Sequence, residues 1–189
     1  MEDSTRPLNL EADLLVIGWG KAGKTLARDL ASHGRHVVLV ERDDAMIGGT
    51  CINVACVPTK TLVNLAERRG DRNPDEYLKQ AIASRDSLID RLRAANKAML
   101  SGQETVTLVH GEARFTGHRR IRVRAGEETL DITAGAVVVN TGTSPLMPDV
   151  PGIQGRFVYD STTIQHIADG RVPQTLTIVG GGFIGLEFA

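Results

Sequence analysis

The sequence predicts an α/β fold built on a parallel sheet, and three observations carry that reading. Two short apolar runs, Asp13–Ile17 and His36–Val40, have the length and composition of strands buried on both faces. A helical pattern separates them, so the segment reads β-α-β, and such a crossover requires parallel strands. A glycine turn follows the first run, and a second glycine turn follows a later run, Leu176–Val179.

The totals bound what such a chain does. Its 189 residues suit one domain, or one with a piece of another. Apolar residues at 41% support a core, and charged residues at 24% match an ordinary water-soluble protein. A net charge of −1 excludes the strong field of a nucleic-acid or anionic-membrane binder. No apolar run approaches the roughly 20 residues of a membrane span. The start, Met1-Glu2-Asp3-Ser4, is acidic where a secretory signal is basic and then apolar. A cytoplasmic protein is expected.

The elements follow in order. Residues 1–11 read as a flexible leader. After the strand at 13–17, a helix places Ala22, Leu26 and Leu30 on one stripe and stops at Gly34. Beyond the strand at 36–40, Gly48-Gly49-Thr50-Cys51 reads as a tight turn entering a helix that carries Thr59–Arg68. After a loop at 70–74, Asp75 is expected to cap a long helix with Ile82, Ile89, Leu92 and Met99 along one face, closed by Gly102. Segments 105–109, 120–124 and 129–133 read as a small antiparallel unit. Segment 136–140 is a further buried strand, and a proline-marked linker runs from Pro145 to Gly152.

The first glycine turn, Gly18-Trp-Gly-Lys-Ala-Gly23, fits G-x-G-x-x-G between a strand and a helix. The first glycine permits the turn, the second admits a pyrophosphate, and the third packs helix against strand. The helix start presents N–H groups to phosphate. Glu41, at the end of the second strand, stands where an acid binds ribose hydroxyls. Strand, turn, helix and acid together predict a dinucleotide site of Rossmann type, with Trp19 packing over the turn. Gly180-Gly-Gly182-Phe-Ile-Gly185 repeats the pattern. Two such turns imply two dinucleotides.

The chain has two cysteines, five positions apart. Intracellular disulfides are usually catalytic or redox-sensing, but two inert buried thiols fit the count equally well. On a regular helix, residues at this spacing lie about 8.6 Å apart, beyond the roughly 7 Å that a disulfide spans. A bridge requires a distorted helix start, which Pro58 and the preceding glycines permit.

Gly48-Gly-Thr-Cys51-Ile-Asn-Val-Ala-Cys56-Val-Pro-Thr-Lys60 closely resembles the active-site segment of the pyridine nucleotide–disulfide oxidoreductases. The resemblance runs from Leu14 to Ala189, with the motifs in the family's order. Gly18–Ala27, Val139-Asn-Thr-Gly142 and Val158-Tyr-Asp-Ser-Thr162 look most like the bacterial subgroup linked to reactive chlorine resistance, whose members reduce hypothiocyanous acid. Within the family, mercuric reductase and dihydrolipoyl dehydrogenase are the alternatives.

The resemblance implies a Rossmann-like FAD-binding domain over 1–147 with a small antiparallel β unit. Residues 148–189 would then be a linker and the first strand and turn of an NAD(P)-binding domain. It implies FAD and NAD(P)H as cofactors. Gly18, Gly20, Lys21, Ala22, Gly23, Glu41 and Arg42 would hold the ADP half of FAD. Gly49, Thr50 and Lys60 would line its pyrophosphate and flavin side. Gly111 and Ala113 would lie by the adenine, and Thr141 and Gly142 would form the second FAD contact. Gly180, Gly182 and Gly185 would serve the nicotinamide cofactor, with Phe183 as the aromatic gate. Cys51 and Cys56 would be the redox-active disulfide, with Cys56 against the flavin and Cys51 attacking the substrate, a small-molecule oxidant or disulfide. Glu187 would pair with Lys60.

Family members are longer, so the chain reads as an N-terminal part of one, and the complete enzyme is expected to be a homodimer. A short flavin-binding or redox-sensing protein without catalysis is the alternative of a different class. Ala55 departs from the family's glycine before the second cysteine. The five histidines match no catalytic or metal-binding pattern. Arg120, Arg122 and Arg124 share a strand face, read as solvated rather than as a nucleic-acid patch because no stacking aromatics accompany them.

Overall fold

The apolar run at 13–17 is the second half of a longer strand, β1 (Leu8–Ile17). The computed structural model describes residues 8–167 and 171–189. The leader expected over 1–11 is thus corrected at 8–11, and its first seven residues lie outside the described residues. Leu8, Leu10 and Ala12 alternate with polar neighbours, the period of a half-buried strand. The chain divides into two units. One consists of residues up to Thr50 with Leu92–Gly142, the other of Cys51–Arg91 with Thr143–Ala189.

The first unit contains a six-stranded sheet. After β1 come α1 (Lys21–Ser32), β2 (Val37–Glu41), β3 (Val106–His110), β4 (Glu112–Gly117), β5 (Arg120–Ala125) and β6 (Glu128–Val139). The spatial order is β3-β2-β1-β6-β5-β4. β3, β2, β1 and β6 run parallel, while β5 is antiparallel to β6 and β4 to β5. The α/β class, the parallel sheet and its antiparallel part are as expected. Segment 105–109, however, belongs to the parallel part, because its valines and leucine ladder with β2. Its place in the antiparallel unit is taken by β4, which the sequence reading passed over.

Segments 129–133 and 136–140 are one continuous strand. Gly135 lies inside that strand, where a Cβ would sit 2.9 Å from the Asp13 carbonyl oxygen. It marks a close approach of β1 to β6 rather than an interruption.

Alternation along the strands builds two cores. Leu14, Val16, Val37 and Leu39 point to one face and pack with Trp19, Ala27, Ile47 and Leu100. Leu15, Val38 and Val40 point to the other and pack with Ile121, Val123, Ile132 and Ala134. Each fully buried aliphatic side chain contributes about 1.5–3 kcal/mol. On α1 the buried stripe is Gly23, Lys24, Ala27 and Ala31; Leu30 packs against the core as expected, but Leu26 faces water. The phase differs from the expected one because Gly23 sits against Val16, and the Lys24 ammonium donates to the Asn96 side chain. Gly34 ends the helix at φ +74°, as expected.

The second unit is helical among the described residues. α2 (Thr50–Asn53) opens at the unit boundary, α3 (Cys56–Glu67) follows, and α4 (Pro74–Ser101) contributes residues to both units. A 3-10 turn at Thr163–His166 and α5 (Phe183–Phe188) complete it. The cap of α4 is Asn73, whose side-chain oxygen accepts the Asp75 and Glu76 amides, each at 3.1 Å. Asp75 lies instead in the first turn. Ile89 is buried on α4 as expected, but its companions are Tyr77, Ala81, Arg85, Asn96 and Leu100. The strand expected at Leu176–Val179 is absent, since a strand needs ladder partners and the second unit supplies none among the described residues.

Candidate functional site

In the first unit, β1 delivers the chain to Gly18 at φ +97°. A Cβ on Gly18 would lie 2.4 Å from the Asn140 carbonyl oxygen, and one on Gly23 would lie 2.5 Å from Val16 Cγ1. A Cβ on Gly49, at φ +82°, would lie 2.6 Å from Gly20 Cα. These glycines are required by close packing of the turn. α1 then begins at Lys21 and Ala22, with Gly20 as its cap, no capping side chain and no acid in its first turn. A first turn without competing acids, reached through glycines, suits the pyrophosphate of a dinucleotide.

Glu41, at the end of β2, is brought against this turn. Its Oε2 accepts the Trp19 amide at 2.9 Å, and its Oε1 accepts the amides of Arg42 and Asp43 at 2.9 and 3.1 Å. The Gly111 amide donates to the Glu41 carbonyl at 2.9 Å, which sets the start of β4, and with it half-buried Ala113, beside the same strand end. Thr141 and Gly142 follow β6. Gly142 has φ +72°, and the Thr50 hydroxyl would lie 3.1 Å from a Cβ placed on it. The sequence-predicted residues of this unit therefore cluster at the C-terminal ends of β1, β2 and β6.

Asn140 belongs to the same cluster and was not singled out. Its side-chain amide donates to the Gly18 carbonyl at 3.2 Å. A Cβ on Gly20 or Gly23 would strike it. The available signal was a polar residue closing the apolar run Ala136–Val139 immediately before Thr141-Gly142.

In the second unit, Cys51 lies half-buried in α2 and Cys56 is exposed at the start of α3. The helix is interrupted between them, the condition the spacing set for a bridge, but no disulfide joins the two in this structure. Ala55, at φ −132° and ψ −105°, caps α3. Cys56, Lys60 and Thr61 of α3 line an open groove of about 640 Å³ with Leu88 and Arg91 of α4. The Lys60 ammonium donates to Glu187 of α5 in an ion pair. The hydrogen bond and the charge of Glu187 hold the Lys60 pKa above the ordinary lysine range. Gly180 has φ +115°, Gly182 caps α5, and a Cβ on Gly185 would lie 2.5 Å from the Gly180 carbonyl oxygen. The second glycine turn thus forms without its strand. Phe183 beside it is almost fully exposed.

Two buried polar residues of this unit were also missed. The Gln165 side chain donates to the Val54 carbonyl at 3.1 Å, the Ser161 carbonyl at 3.0 Å and the Thr59 hydroxyl at 3.3 Å. Arg85 donates to the Gln165 carbonyl and to Asp86. No helix among the described residues is long and apolar enough to cross a membrane.

The parallel sheet with its glycine turn and acid has the form of a dinucleotide-binding domain, and the same chain carries two cysteines on either side of an interrupted helix. Residues 12–189 match the pyridine nucleotide-disulphide oxidoreductase family, and the chain belongs to it. Members are enzymes that use FAD and NAD(P)H. The chain is 40% identical over 176 residues to the probable pyridine nucleotide-disulfide oxidoreductase RclA of Escherichia coli, covering 93% of this chain and 38% of that protein. It is 31% identical over 186 residues to a mercuric reductase of Lysinibacillus sphaericus, covering 93% of this chain and 33% of the relative. A structure of the Cu(II) complex of the HOCl-induced flavoprotein disulfide reductase RclA from Escherichia coli superposes with a TM-score of 0.85 at 38% identity, over 94% of this chain and 39% of that one. The chain therefore spans about two fifths or less of the length of these relatives.

Proposed function

We propose that this chain is the FAD-holding, cysteine-bearing part of an NAD(P)H-linked flavoprotein disulfide reductase that reduces hypothiocyanous acid or a related reactive oxidant. The observation that carries the reading is the interrupted helix, which sets Cys51 and exposed Cys56 on either side of a break, with Cys56 sharing a groove with Lys60. The likeness to RclA favours an oxidant over mercuric ion or dihydrolipoamide as substrate. We place the reductase in the cytoplasm, as a homodimer in its complete form.

In this reading the first-turn amides of α1, with Gly18, Gly20, Lys21, Ala22 and Gly23, hold the pyrophosphate of FAD, and Glu41 and Arg42 hold its ribose end. Gly49, Thr50, Thr141 and Gly142 line its further course, with Gly111 and Ala113 towards the adenine. Gly180, Gly182, Phe183 and Gly185 serve NAD(P)H. When bound, FAD supplies the two-electron link between a nicotinamide hydride and a disulfide. Lys60, fixed by Glu187, keeps its positive charge beside Cys56.

The cysteines perform the substrate chemistry by thiolate attack on electrophilic sulfur. The Cys51 sulfur bonds to the sulfur of hypothiocyanous acid, and the hydroxyl leaves as water with one proton. The Cys56 sulfur then attacks Cys51, thiocyanate leaves with its electron pair, the second thiol proton goes to solvent, and the disulfide closes. Two thiols are oxidised and the oxidant takes up two electrons.

The test is Cys51→Ser in the complete protein. Flavin absorbance should persist while oxidant reduction stops. Persistent turnover would remove Cys51 as the nucleophile. A wild-type preference for mercuric ion or dihydrolipoamide would replace the oxidant with that substrate.

A further inference from the structure

We infer that Gln165 is a positioning residue for the Cys51–Cys56 pair, and that Arg85 anchors it. The inference rests on the redox-pair reading above and extends it to residues outside the cysteine segment.

The argument begins with a carbonyl that the sequence leaves without a helical donor. In a continuous helix the Val54 carbonyl would accept from the amide four residues on. That residue is Pro58, which has no N–H. Val54 is half-buried and lies in the break between the cysteines, so water is a poor substitute. The next carbonyl, Ala55, accepts the Thr59 amide at 3.1 Å, so helical bonding resumes directly after it.

Gln165 supplies the missing donor. It is only 3% exposed, and its side-chain nitrogen lies 3.1 Å from the Val54 oxygen and 3.3 Å from the Thr59 hydroxyl. One amide thus ties the break to the first turn of α3, 111 positions away in sequence from Val54. The Gln165 backbone is held in turn, since its carbonyl accepts from the guanidinium of Arg85, which is fully buried on α4.

A bridge between residues five apart closes only where the helix is broken, because the regular spacing of about 8.6 Å exceeds disulfide reach. No disulfide joins Cys51 and Cys56 in this structure, so the Gln165 donor already holds the break in the dithiol, and a pair held ready for closure loses less freedom on bridging, which favours the disulfide. Without it, the Val54 carbonyl turns to seek water and the break that a bridge needs is no longer held.

The experiment equilibrates the purified protein with mixtures of glutathione and glutathione disulfide. Each disulfide formed consumes one glutathione disulfide and releases two glutathiones. Alkylation and mass analysis give the dithiol-to-disulfide ratio. Gln165→Met keeps the length of the side chain and removes the donor, and should shift the equilibrium about tenfold towards dithiol, or about 30 mV. Tyr77→Phe removes a comparable hydrogen bond, the tyrosine hydroxyl to the Leu65 carbonyl at 2.9 Å, and should leave the equilibrium unmoved. If Gln165→Met loses its native circular dichroism, Arg85→Lys carries the test and should shift the equilibrium in the same direction.

Equal ratios for wild type and the folded variant would overturn the inference while leaving the redox pair intact. Equal shifts for Gln165→Met and Tyr77→Phe would also overturn it, because a general loss of stability would then account for both. A wild-type protein that forms no Cys51–Cys56 disulfide in any mixture would remove the redox-pair reading and the inference with it.

Discussion

The Asn140 side chain occupies the space into which a Gly20 side chain would project. A Cβ on Gly20 would lie 2.7 Å from Asn140 Nδ2, and its other nearest atoms belong to the same carboxamide. Gly20 has an ordinary φ of −65°, so this neighbour, rather than backbone conformation, forbids alanine. Gly20→Ala should therefore destabilise the fold by about 1–3 kcal/mol, and Asn140→Ala by about 1–2 kcal/mol through its lost hydrogen bond to Gly18. The double variant should be more stable than the sum of the two predicts, because Asn140→Ala removes the clash. A double-mutant cycle in urea measures this coupling, and strict additivity would contradict it.

Gly49 and Gly34 both have positive φ, but only Gly49 is crowded. An added Cβ at Gly49 meets the Gly20 backbone at 2.6 Å, while at Gly34 it meets nothing within 4 Å. Gly49→Ala should cost about 2–4 kcal/mol and abolish flavin retention, whereas Gly34→Ala should cost about 1–2 kcal/mol and keep it. Denaturant unfolding and the flavin absorbance of the purified protein check both outcomes.

Glu187 raises the pKa of Lys60 above its usual 10.5 through their hydrogen bond and charge interaction. A lysine with a raised folded pKa contributes stability that is fully present below its unfolded value and is lost as pH rises through the folded value. The window is therefore alkaline, above 10.5. Glu187→Gln should bring the Lys60 titration back towards that value, as read by NMR of its side chain. The Lys60 ammonium is largely exposed and Glu187 half-buried, so salt should weaken the effect in the wild type.

Asp160 behaves in the opposite sense. Burial pushes its pKa up, but hydrogen bonds from the Thr163 and Thr162 amides and the Thr163 hydroxyl outweigh it and leave it below 3.8. A depressed carboxylate contributes stability above its unfolded pKa and loses it as pH falls through the folded pKa. Asp160→Asn should remove this part of the acid dependence. Amide exchange at Thr162 and Thr163 should then no longer quicken selectively in strong acid.

Two arginines separate buried from solvated charge. Arg85→Ala should cost about 2–4 kcal/mol, since it empties a buried site and leaves the Gln165 carbonyl without its donor. Arg122→Ala should leave stability nearly unchanged, because its partner Asp131 shares a surface open to water. Urea unfolding of the two variants gives the contrast directly.

Much of the first unit was legible because its signals are local. The run Leu14–Ile17, the three glycines and Glu41 each state a backbone requirement within a few residues. The errors fell where a partner strand decides. Segments 129–133 and 136–140 read as two strands, and only their shared partner β1 joins them into one. Segment 105–109 carries a strand pattern but no mark of the strand it joins. Leu176–Val179 has the composition of a strand, yet composition without a ladder partner forms none.

The sequence by itself determined the β-α-β start, the glycine turn with its acid and the family, because spacing and residue type settle these within short segments. The tertiary structure alone decided the roles of Asn140, Gln165 and Arg85. Asn140 and Gly18 are 122 positions apart, and Gln165 and Val54 are 111 apart. A polar side chain in the sequence carries no sign of the carbonyl it will satisfy. That pairing is set when packing excludes water and leaves each buried donor and acceptor to find the other.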